Sequence, residues 1–212
     1  MSRRVSPPAE SASIEPATDS KSARTRKRIL DAAAKVLSRK GYSGMRLSDV
    51  AEVADLQAPA IYYHFGSRED LIEEVMWVGM ASMRAHVIEV LDALPADASP
   101  IDRLLAAVEA HLRYELQASD YTTASIRNAG QVSEKIQKRQ RVEQVKYGEL
   151  WRELIDSTVT SGAMRADYDP FVAQMLVMGS LNWAAEWWSS RRCSIDELVR
   201  NAQSFVRHAL ID

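Results

Sequence analysis

Residues 47–54 and 58–64 constrain this chain more than any other stretch. LSDVAEVA and APAIYYH both carry helical apolar spacing, and only Asp55-Leu56-Gln57 separates them. Helices of about two turns are marginal on their own, so this pair must be held by its neighbours. Asp55 tolerates the left-handed conformation that so tight a corner needs. Val50, Ala51 and Ala54 are small or apolar and permit close approach. Leu56 and Ile61 can pack beneath, which leaves Gln57, Ala58, Pro59, Ala60, Tyr62, Tyr63 and His64 facing outward.

Ile29, Ala33, Val36 and Leu37 predict a first helix from about Ser22 or Thr25 to Gly41, where glycine supplies a stop. Charge concentrates in the same region. Ser20 to Arg46 holds nine Lys and Arg against one Asp, a local +8, so the remainder carries −10 within a formal net charge of −2. A basic segment on an acidic body suits a localised polyanion site. Residues 1–19 are rich in Ser, Pro, Ala and Glu without apolar periodicity and read as a disordered arm.

Ser67, with Glu69 and Asp70 behind it, caps a long helix expected to reach about Leu94. Ser99-Pro100 opens the next. Breaks near Ser119-Asp120 and Gly130 separate a short helix from a long one ending at Gly162. Asp169-Pro170 starts another, and Ser194 with Glu197 forms a capping box for the last. No segment alternates with β-branched and aromatic residues, so no sheet is expected. The fold class is all-α with about nine helices. An N-terminal three-helix domain over 20–66 follows the arm, and a larger helical domain occupies 67–212.

Three helices with a tight turn between the second and third make a helix-turn-helix, whose last helix enters the major groove of double-stranded DNA. The stretch GYSGMRLSDVAEVADLQAPAIYYHFGSREDL, residues 41–71, resembles the TetR family of bacterial transcriptional repressors. It departs from the family pattern at Asp55, usually glycine, at Gln57, usually serine, and at Arg46, commonly threonine. The resemblance implies that Tyr63, His64 and Arg68 contact the DNA backbone, with Arg46 and Ser48 as additions. It places Gln57, Ala58, Pro59 and Ala60 at the base edges. A glutamine amide pairs bidentately with adenine, whereas Ala58 and Ala60 offer only methyl contact or close approach. Tyr62 either reads a thymine methyl or braces the helix. Lys21 and Arg24 are candidates for the minor groove, where flexible arms often lie.

The same resemblance implies a homodimer on operator DNA and a small-molecule effector. Ile195, Leu198, Val199, Ala202, Phe205, Val206 and Ala209 form one apolar stripe, and the helix before it is apolar nearly all round. Dimer contacts are expected at Val177, Leu181, Trp188, Leu198, Ala202, Phe205 and Val206. Met76, Met80, Met83 and Val87 share one face of the long helix; methionine suits plain core and also a pocket for a flexible apolar ligand. Effector contacts are expected at Trp77, Met80, Met83, Arg127, Asn182, Trp183, Glu186 and Trp187. The Asn-Trp-x-x-Glu-Trp-Trp stretch is similar to one in TetR regulators of steroid and fatty-acid breakdown that respond to acyl-CoA thioesters. That implies an acyl-CoA or another bulky apolar effector, with Arg127, Lys135 and Arg139 meeting its phosphates.

His64, His86, His111 and His208 are scattered without metal-ligand spacing, and no glycine loop cradles a phosphate. Cys193 is the sole cysteine, which excludes an internal disulfide and fits a reducing compartment. No stretch reaches the roughly 18 uninterrupted apolar residues of a membrane span. The expectation is a cytoplasmic, ligand-responsive repressor that is no enzyme and uses no metal, cofactor or membrane. A ligand-binding adaptor with a degenerate reading head is the alternative, and an enzyme the one from a different class.

Overall fold

In the computed structural model, residues 17–211 are described, and among them the chain forms nine α-helices, one π-helical turn and no strand. The first helix, α1 (Ala17–Gly44), begins within the stretch expected to be disordered; residues 1–16 of that arm lie outside the described residues. Gly41 interrupts α1 with φ 68° and ψ 176°, a conformation that glycine adopts without a Cβ penalty. Next come α2 (Leu47–Ala54) and α3 (Ala58–His64). Asp55, at φ 52° and ψ 53°, makes the left-handed corner between them, and its N–H donates to the Glu52 carbonyl at 3.1 Å. Pro59 sits in the first turn of α3, where a missing N–H leaves no helical bond unmade.

Side-chain caps set the later boundaries. Ser67 accepts from the Asp70 N–H at the start of α4 (Arg68–Asp92), and Ser99 from that of Asp102 at the start of α5 (Pro100–Arg113). The π-helical turn Tyr114–Ala118 prolongs α5. Four helices complete the chain: α6 (Asp120–Asn128), α7 (Glu134–Thr160), α8 (Pro170–Trp187) and α9 (Ile195–Leu210). The α7–α8 loop is tied to the end of α9 by an isolated bridge between Met164 and Ile211.

Two apolar cores result. The N-terminal one gathers Ile29, Leu37, Val50, Ile61 and Phe65, but also Leu71, Ile72 and Met76 of α4, Ala124 of α6, and Val132 and Ile136. The second centres on Met83, Leu104, Val108, Trp151, Leu181 and Val206. One long helix and two short ones do not enclose a core of their own, so the head borrows its floor from the body. A cut after residue 66 therefore divides a continuous apolar cluster. The α4 helix threads both cores.

Candidate nucleic-acid interface and internal cavity

The head presents α3 outward. Ile61 is fully buried and anchors the helix, a burial that contributes roughly 1.5–3 kcal/mol. Around it Gln57, Ala58 and Pro59 are exposed, as are Tyr62 at 59% and Tyr63 at 82%. Phe65 turns inward. The Gln57 side chain makes no capping bond although it holds the N-cap position, so its amide faces solvent. Ala60 and His64 are half-buried, and the His64 ring meets the Tyr63 ring edge-on. Arg46 and Ser48 are exposed at the start of α2, and Lys21 and Arg24 are exposed on α1.

Much of the basic run has internal work. Arg26 pairs with Glu74 of α4 and lies over the Phe65 ring. Arg28 donates to the Ala54 carbonyl at 2.6 Å, covering the C-terminal end of α2, and Lys40 pairs with Asp49 at 3.0 Å. Arg68, expected on the DNA backbone, is turned inward. Its guanidinium donates to the Met45 carbonyl at 3.1 Å and to the Tyr42 carbonyl, and stacks on the Tyr42 ring. It fastens the α1–α2 corner to α4, because those carbonyls follow the break at Gly41 and have no helical donors.

Inside the body lies a cavity of about 270 Å³. Met80 and Met83 of α4, Ile126 and Ala129 of the α6 region, and Met175 and Met178 of α8 supply its apolar wall. His111, Gln144, Tyr147 and Asn182 supply its polar groups, and no Lys, Arg, Asp or Glu side chain lines it. Of the expected effector contacts, Met80, Met83 and Asn182 are among the lining residues. Five other expected contacts are not. Trp77 carries the Arg139 guanidinium 3.7 Å above its ring, Trp183 and Trp187 are exposed on α8, and Arg127 and Glu186 pair with each other at 2.9 Å.

The sequence reading missed His111, Glu115 and Tyr147. His111 Nδ1 and the Tyr147 hydroxyl are 2.9 Å apart, and His111 Nε2 faces a Glu115 carboxyl oxygen at 3.4 Å. All three are buried, and neither Glu115 oxygen nor His111 Nε2 has a hydrogen-bond partner. Burial pushes the Glu115 carboxyl above the usual carboxylate range, against the pull of His111. A signal was present: Leu104, Ala107, Val108, His111 and Glu115 fall at helical spacing, placing two titratable groups on an apolar stripe.

The α6 helix stands between cavity and head. Asn128 accepts from the Tyr42 N–H at 2.7 Å, Tyr121 donates to Asp31 at 2.8 Å, and Arg127 donates to the Ser38 carbonyl at 3.0 Å. Asp120 accepts from the Ser38 hydroxyl. Ile126 and Ala129, on another side, line the cavity.

The expected interface residues need correction. Val177, Leu181, Leu198 and Val206 are buried in the body's own core, and Trp188 and Ala202 pack against it half-buried. Of that set only Phe205 is exposed. The open apolar face of α8 and α9 instead consists of Phe171, Val172, Leu176, Trp183, Trp187 and Phe205. The cause is α8 itself: apolar nearly all round, it seats its Ala173–Val177–Leu181–Ala184 row inward and turns the opposite row out.

A helix-turn-helix head joined through a shared core to a helical body with a mostly apolar cavity defines the class of one-piece helix-turn-helix regulators. Residues 29–75 match the family described as "Bacterial regulatory proteins, tetR family", and residues 97–210 match "Tetracyclin repressor-like, C-terminal domain". The chain belongs to the TetR family. Relatives include the HTH-type transcriptional repressor KstR2 of Rhodococcus jostii, 23% identical over 199 residues and covering 91% of this chain and 94% of that one. The crystal structure of AibR with isovaleryl coenzyme A and operator DNA superposes with a TM-score of 0.77 at 18% identity, over 85% of this chain and 97% of AibR. FadR of Bacillus subtilis in complex with stearoyl-CoA gives 0.69 at 16% identity, over 85% and 96%.

Proposed function

We propose that the protein is a transcriptional repressor that grips operator DNA as a homodimer and is controlled by a small, largely apolar effector in the internal cavity. The observation that carries this reading is α3. A seven-residue helix held by one buried isoleucine presents its first turn and two tyrosines to solvent, a shape suited to a major groove. Gln57 is the base-reading side chain, with Ala58, Pro59 and Ala60 allowing close approach. Tyr63, His64, Arg46 and Ser48 position the head on phosphates, and Lys21 and Arg24 reach the flanking groove. Arg68 acts indirectly, by holding the corner that orients α2.

The effector reading rests on the cavity and on α6, which touches both the cavity and α1. A ligand that prefers one placement of α6 shifts the spacing of the two heads, by no more than its differential affinity for the two states. AibR and FadR were each solved with an acyl-CoA, which supports an acyl thioester or a similar apolar molecule here. Action is by binding rather than catalysis, in the cytoplasm where the chromosome lies.

The test is an electrophoretic mobility shift against DNA upstream of the protein's own coding region. A sequence-selective shift that weakens steeply with salt is expected. Gln57→Ala should alter sequence preference, whereas Tyr63→Ala should weaken binding to cognate and random DNA alike. Equal losses on both DNAs for Gln57→Ala would contradict its assigned role.

A further inference from the structure

Resting on the cavity being the effector site, we infer that it recognises the apolar part of a molecule whose buried end is uncharged and carries a neutral hydrogen-bonding oxygen, a keto or hydroxyl group. Burial orients the site. His111, Tyr147 and Met83 are fully enclosed, whereas Ile126, Gln144 and Asn182 are half-buried and Met175 is exposed. The enclosed part therefore holds the imidazole and the hydroxyl beside two methionines, and the rim is mixed.

The Tyr147 hydroxyl is paired only with His111 Nδ1 and keeps further hydrogen-bonding capacity towards the cavity, which an alkyl terminus would leave unused. The Tyr147 hydroxyl can donate to a ligand oxygen or accept from a ligand hydroxyl, and the imidazole beside it can exchange roles to match. A carboxylate meets no counterion there. No lysine or arginine lines the cavity, and the one imidazole in its lining has a Glu115 carboxyl oxygen 3.4 Å from Nε2. The π-helical turn holds Glu115 in that place, a backbone irregularity that is frequent at functional sites. The cavity is small, about 270 Å³. A longer chain or a charged headgroup must extend past the rim.

Isothermal titration and thermal shift of the full-length protein with octan-2-one, octan-1-ol and octanoate at pH 7.5 test this. The ketone and alcohol should bind at least about tenfold more tightly than octanoate. Tyr147→Phe should weaken ketone binding about tenfold, the size of one lost hydrogen bond. Octanoate binding as well as the ketone, or an unchanged ketone affinity in Tyr147→Phe, overturns the inference while leaving an apolar effector site standing. Should that variant fail to fold, the wild-type ketone-against-octanoate comparison decides alone. Binding of none of the three overturns the cavity reading and this inference together.

Discussion

Gly79 shows how much a single position can decide. A Cβ there would lie 2.3 Å from the Tyr121 carbonyl oxygen and 2.9 Å from Ser125 Cβ, so the glycine permits α4 and α6 to touch. Thr122 and Ser125 then donate to the Gly79 and Met76 carbonyls. Gly79→Ala must push two backbones apart and should cost about 1–3 kcal/mol, read as a fall of several degrees in melting temperature. Glu115 and Glu143 respond oppositely to pH. Because the carboxyl is buried, the native state holds a proton on Glu115 more tightly than the unfolded chain does, with His111, Arg127 and Glu186 the other groups acting on it. That stabilisation is complete below the ordinary carboxylate range and is lost as pH rises through the elevated native value. Glu115→Gln should therefore raise the melting temperature at pH 7.5, with the gain closing below about pH 4. Glu143, held down by Lys146 and by Arg84, stabilises the fold above the carboxylate range and loses that effect as acid protonates it. Glu143→Gln should cost stability at pH 7.5 and nothing in acid. Melting curves across pH 3–8 check both.

Among the elements, α6 has the widest reach for its length. It fills the N-terminal core with Ala124, lines the cavity with Ile126, and fastens the Gly41 break in α1 through Asn128. Asn128→Ala strands the Tyr42 N–H and frees that corner. The expected loss is about 1–3 kcal/mol, together with weaker DNA binding because the head is no longer fixed to the body; chemical denaturation and mobility shift measure the two. Removing the half-exposed Arg127–Glu186 pair with Glu186→Gln should change stability by under about 1 kcal/mol. Any large effect of that substitution on effector response would come from Arg127, which also holds the Ser38 carbonyl. The short α3 was legible in the sequence because turn chemistry and period are local: Asp55 makes the corner and Ile61 marks the buried side. The π-helical turn was not, since the break near Ser119 shows where α5 ends but not how its last turn is wound.

At the scale of the whole molecule, the exposed row on α8 and α9 is the feature that a lone subunit leaves open. Leu176 at 63% and Trp183 at 64% exposure lie on a helix whose other side is core, which makes this face the surface on which the proposed homodimer would close. Leu176→Asp with Trp183→Glu should halve the mass seen by sedimentation while leaving the subunit folded, because neither side chain belongs to the core. Operator affinity should fall with it, since one head must then bind without its twin. The same substitutions made at Val177 and Leu181 should instead unfold the protein.

The sequence by itself determined the all-α class, the helix-turn-helix with its outward residues, and the caps that begin α4, α5, α8 and α9. Each follows from spacings of three or four residues or from one residue's backbone preference. Only the tertiary structure decided which row of α8 lies inward, which cations face solvent, and which side chains meet in the cavity. An all-apolar helix has no periodic signal to distinguish its own core from a partner's. Arg68, His111, Glu115 and Tyr147 take their roles from groups tens of residues away, and contacts of that range are fixed by packing.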